Sequence, residues 1–164
     1  MANAASSALL TSARAEAAVR MVLPMITEAM KTPAVGDSGF FYLVVMDPAA
    51  RPGDCAFEQA ILFEHAIGDP EYWDADYRAF ARAKTRLAWE NQMDSHAVQA
   101  LRPWTLASGH TTLWGSVALD GIVVGASGLQ PWADEAFAGA VAMCLRGLVK
   151  AAADEARAKG VLFL

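Results

Sequence analysis

Cysteine, histidine and charge are all scarce in this sequence, and each scarcity excludes something. Cys55 and Cys144 are its two cysteines. They provide neither a disulfide framework nor metal-ligand spacing, and two ordinary buried thiols are expected. Three histidines, at 65, 96 and 110, lack the short spacing of a zinc site. Charged residues make up 19% of the chain, against ~25% in typical domains. With a net charge of −5 and a pI near 5.1, no broad basic face is available for nucleic acid. No run approaches ~18 uninterrupted apolar residues, so no membrane span is expected. The opening MANAASSALLTSARAEAAVR puts no basic residue ahead of its apolar part, which is wrong for a secretory leader. These exclusions point to a cytoplasmic protein.

Apolar residues are abundant, at 55%, and mean hydropathy is +0.25. A chain of 164 residues makes one domain, 1–164, with a sizeable core. Its apolar surplus is expected to cover a homo-oligomer interface or line a ligand cavity.

The alanine-rich stretch from Ser12 to Lys31 reads as a helix that Pro24 kinks or breaks. Phe40 to Met46 is a short β-branched and aromatic run, a buried strand. From Cys55 to Ile67 the pattern alternates, placing Phe57, Gln59, Ile61, Phe63, His65 and Ile67 on one strand face. Asp69-Pro70-Glu71 carries helix-start signals, and Trp73, Tyr77, Phe80, Lys84 and Leu87 follow at helical spacing to about Trp89. A short helix and a loop are expected between Asn91 and Gly109. Thr112 to Leu119 and Ile122 to Leu129 flank Asp120-Gly121, a strong hairpin signature. Pro131 opens a last helix with Phe137, Val141, Cys144 and Leu148 as its buried stripe. The expected fold is α+β: an antiparallel sheet of two hairpins packed with helices in the order α-β-β-α-β-β-α, a profilin-like sandwich.

Three segments resemble the GlcG/HbpS family, the haem-degrading or DUF336 domain. VALDGIVVGASG followed by PWADEA is similar to its Asp-Gly hairpin, Val-Gly-Ala strand and Pro-x-x-Asp-Glu helix start. Leu43 to Asp47 resembles its first strand, and Ala81 to Ala88 its central-helix Ala-x-x-Lys motif. The segments occur in the family's order. Leu113-Trp114-Gly115-Ser116 stands where the family has Gly-Gly-x-Pro, and the first helix lacks the histidine common in haem-binding relatives. The resemblance implies a homo-oligomer that binds a small-molecule ligand, haem or another tetrapyrrole being possible, or a small carboxylate.

Five residues are candidates for chemistry. Lys84 puts an ammonium on an apolar helix stripe, which is costly unless it meets a carboxylate, a carbonyl or a ligand. It either snorkels to the helix edge, pairs structurally with a strand-end acid such as Asp47, or anchors a ligand. His110, in the loop before the second hairpin, suits an axial iron ligand, an acid/base or a plain surface position. With Trp114 as a stacking surface, these residues would line a pocket between sheet and central helix. Asp134 and Glu135 either stabilise a helix start or supply a general base beside His110. Two further functions stay open: an enzyme doing acid/base chemistry on a small carbonyl compound (a tautomerase, dehydratase or lyase), or an accessory subunit. Gly139, Met143 and Gly147, spaced by four, suggest close helix approach across a subunit boundary.

Overall fold

The computed structural model describes residues 6–164. Its elements are α1 (Ser12–Ala29), β1 (Phe41–Met46), β2 (Ile61–Ile67), α2 (Tyr77–Asn91), α3 (Ser95–Leu101), β3 (Ser116–Leu119), β4 (Ile122–Ser127) and α4 (Pro131–Ala158). The fold is α+β, with four helices and one four-stranded antiparallel sheet in the order β2-β1-β4-β3. Each strand pair is flanked as expected, and the central β1–β4 pairing joins the two pairs into one sheet.

β1 is apolar throughout because both its faces are covered. Phe41, Leu43 and Val45 join a core with α1 and α4, which includes Val19, Ile26, Val141 and Leu145. Tyr42, Val44 and Met46 join a second core with α2, which includes Ala81, Ala88 and Trp89. Helices therefore cover both faces of the sheet, and the central strands lose the polar alternation of a one-sided sheet.

Several local expectations give way to packing. α1 runs unbroken through Pro24, which lies on the solvent side, while Ala15, Val19, Val22 and Ile26 are buried opposite. Tertiary packing of that stripe outweighs the local cost of the proline. Residues 57–60 form a 3₁₀ turn rather than the start of β2. Phe57 and Ala60, three apart, go inside, and the Gln59 side-chain Oε1 accepts the Ala56 N–H at 3.1 Å. β1 and β2 are thus linked by a long loop and not by a tight turn.

Asp69-Pro70-Glu71 likewise makes only one 3₁₀ turn. Trp73 then packs edge-on against Tyr42 and Tyr77, and the chain turns before α2 begins. The Asp76 carboxylate caps that helix by accepting the Ala79 N–H at 2.9 Å. Phe80, expected on the buried stripe, is exposed. The hairpin strands are shorter than the apolar runs, and Asp120 (φ 51°) and Gly121 (φ 86°) form their turn.

α4 buries Ala133, Phe137, Val141 and Leu145, whereas Cys144 and Leu148 are only partly buried. Among the described residues it is the one helix long and apolar enough to cross a membrane by length and composition. Its apolar stripe lies against the sheet and α1.

Candidate functional site

Lys84 and Asp134 meet in the interior. α2 carries Lys84 over β4, and the first turn of α4 brings Asp134 in from the other side. The Lys84 Nζ donates to Asp134 Oδ2 at 2.8 Å, with both side chains almost wholly buried. Its other bonds, to the Ala126 carbonyl and the Ser127 hydroxyl, are each 3.2 Å. Charge-assisted bonds are usually ~2.7–2.9 Å, so one donor is held tightly and two loosely.

The expected structural partner, Asp47, is therefore the wrong acid. Asp47 sits at the far end of β1, where it binds backbone N–H groups. Sequence order hides the true partner because 50 positions separate the pair.

The surroundings hold the pair in place. Asp134 Oδ1 accepts the Leu129 N–H at 3.0 Å. Burial pushes the Asp134 carboxyl up to about 6, although the Lys84 charge and hydrogen bond and the backbone donors pull it down. Gly115, at φ +144°, lets the chain pass against this carboxylate: a Cβ there would lie 2.6 Å from the Asp134 Cβ. The Ser116 hydroxyl donates to the Lys84 carbonyl at 2.6 Å, tying α2 to β3.

Lys84 forms part of the wall of a cleft of about 300 Å³, between the 36–38 loop, the start of α2 and residues 127–131. Ser38, Tyr77, Ser127 and Gln130 contribute polar groups, Leu113, Leu129 and Pro131 apolar surface, and Asp37 and Asp74 two exposed acids.

His110 and Trp114 do not line this cleft. The His110 Nε2 bonds Glu90 at the end of α2 at 3.0 Å, and its Nδ1 accepts the Ala107 N–H at 3.1 Å. Both ring nitrogens are thereby used in holding the loop. Trp114 stacks on His96, with centroids 4.1 Å apart, rather than facing Lys84.

Glu135 points to that same side. Burial pushes its carboxyl up, opposed by the His96 charge and reinforced by Asp94, and its Oε2 is buried without a hydrogen-bond partner among the described residues. Trp132 is exposed. His65 is half-buried on the β2 edge, where burial pulls its imidazole below the usual value. The five site residues expected to converge thus fall into three places: Lys84 bonds Asp134, Trp114 and Glu135 lie on the His96 side, and His110 is apart on Glu90.

Two features escaped sequence reading. The Arg82 guanidinium makes a bidentate pair with Glu64, at 2.7 and 2.6 Å, locking α2 to β2. Burial raises the Glu64 carboxyl, but Arg82 and Arg78 bring it below its ordinary value on balance. The available signal was Arg78, Arg82 and Arg86, spaced by four along α2. Ser127, the loose third partner of Lys84, had no signal at all.

No protein-family model matches the chain, and no curated protein matches it.

Proposed function

We propose that this chain is a small-ligand-binding protein of the GlcG/HbpS type, acting as a homo-oligomer, whose ligand is a small monocarboxylate or carbonyl compound. The observation that carries the reading is the buried Lys84 ammonium, tightly bonded only to Asp134, in the wall of a cleft. A ligand oxygen entering that cleft would replace the Ser127 hydroxyl, a neutral acceptor at 3.2 Å, with a better one. The family-type reading is supported by convergence of its motif residues. Lys84, from the central-helix motif, pairs with Asp134, from the Pro-x-x-Asp-Glu helix start. Thr85, beside Lys84, packs on Gly125 of the Val-Gly-Ala strand.

Asp37 and Asp74 at the cleft disfavour a dianion, so a tetrapyrrole with two propionates fits less well than a single carboxylate. A second reading, acid/base catalysis on a carbonyl compound in the same cleft, draws on the Lys84–Asp134 pair: Lys84 lines the cleft, and Asp134, buried behind it, has a carboxyl raised to about 6. His110 takes no part in it.

Calorimetric titration with pyruvate, lactate and haem tests the proposal. Pyruvate or lactate should bind, and Ser127→Ala, which removes the competing hydroxyl, should bind as tightly or more tightly. Lys84→Met, with its fold checked by circular dichroism, should lose binding. Tight haem binding without response to either acid, or acid binding indifferent to Lys84, overturns it.

A further inference from the structure

A second and larger cleft, about 510 Å³, lies at the other end of α2, between the loop after β1, the last turn of α2 and the β3–β4 turn. Four charged residues line it, and two are already neutralised. Glu90 is held by His110 and Arg86, and Asp120 by Arg146. Asp47 and Arg51 have no ion-pair partner among the described residues.

Asp47 is the more telling of the two. It is only 7% exposed, and its Oδ1 accepts the Ala49 N–H at 2.9 Å and, loosely, the Ser7 N–H at 3.4 Å. Its Oδ2 takes no hydrogen bond from the described residues. A nearly buried carboxylate without a counter-ion is costly, and proteins normally pair one. Among the described residues that line the cleft the one cation is Arg51, four positions on and exposed. Pro48 and Pro52 restrict the loop that carries the two charges, which share one cleft and form no ion pair with each other.

Two opposite charges kept apart in a common cavity suit a ligand that carries both. We propose that this cleft binds a small α-amino acid. Its ammonium docks on Asp47 Oδ2 and its carboxylate on the planar fork of Arg51, which matches a carboxylate bidentately. Its side chain lies against Pro48, Pro52 and Trp89. The Trp89 indole N–H is bonded to the Ala50 carbonyl at 2.9 Å, which fixes that wall. This site is separate from the Lys84 cleft and does not depend on its function.

The test is calorimetric titration of the full chain with alanine, leucine and tryptophan, and with propionate and ethylamine, which each keep one of the two charges. At least one amino acid should bind and neither single-charge compound should match it. Asp47→Asn keeps an oxygen for the Ala49 N–H, and Arg51→Met keeps the stem. Each should weaken binding roughly tenfold or more, the worth of a charged hydrogen bond. Ser127→Ala, in the other cleft, should leave amino-acid affinity unchanged. Absence of amino-acid binding at millimolar concentration, equal binding of ethylamine or propionate, or unaltered affinity in both variants overturns the assignment.

Discussion

Thr85 occupies the space that a side chain at position 125 would need: a Cβ on Gly125 would lie 1.9 Å from its hydroxyl oxygen. That hydroxyl donates to the Ala81 carbonyl at 2.7 Å, so the side chain is not free to swing away. Gly125→Ala should therefore destabilise the protein by ~1–3 kcal/mol or more through overpacking. Adding Thr85→Ala should recover much of the loss. Urea unfolding of the two single variants and the double variant measures this, and simple additivity would refute the steric account.

Lys84→Met should cost ~3–5 kcal/mol at pH 8, because it leaves the Asp134 carboxylate buried without its cation. At pH 5 the loss should be smaller, since Asp134 can take up a proton and become neutral. Equal stability of variant and wild type at pH 8 would show that the pair contributes nothing.

Asp134 should also give the wild type a distinctive pH profile. Its carboxyl is raised in the folded protein from 3.8 to about 6, so the folded state binds the proton more tightly. The resulting stability is fully present below 3.8 and is lost as pH rises through about 6, amounting to a few kcal/mol. Glu64, lowered by its arginines, acts oppositely and at lower pH. Unfolding midpoints between pH 4.5 and 8 should fall in wild type and stay flatter in Asp134→Asn.

His110→Ala should lower stability by less than ~1 kcal/mol, since its bonds to Glu90 and Ala107 lie in a partly solvated loop. Pyruvate or lactate binding should be unchanged. A loss of that binding in a folded variant would bring His110 back into the site.

Light scattering at micromolar concentration should give a mass of at least two chains. Met21 and Met25 on α1 and Met143 on α4 are each more than half exposed, which leaves apolar surface to cover. The stripe read from the sequence does not form one free face. Gly139 faces β3, with Val117 at 3.7 Å from its ideal Cβ, whereas Gly147 looks into open space. A strictly monomeric mass would count against assembly.

The order of the elements was legible because each carries its own local pattern. The hairpin turn at Asp120-Gly121 and the uniform burial of β1 needed only nearest neighbours in sequence. The misread stretches at 55–60 and 69–76 are short, and their conformation is set by where Phe57 and Trp73 must pack. Lys84 was recognisable as a charge on an apolar stripe, but its partner was not, because nothing local distinguishes Asp134 from Glu135. Only the approach of α4 to β4 turns the first inward and the second aside. His110 looked functional for the same reason in reverse: a loop histidine carries no sign in the sequence that Glu90 already occupies it.

The strand order β2-β1-β4-β3 bears on how the chain acquires its shape during synthesis. β1 is central, yet one of its two neighbours is β4, and the Ser38 hydroxyl reaches the Gly128 carbonyl across 90 positions. The N-terminal half emerges from the ribosome with a long apolar edge unpaired until β4 follows. Closing so distant a pairing carries a loop-entropy cost before any contact offsets it. Completion of the sheet therefore waits on the synthesis of β4, and until then β1 has only β2 to pair with.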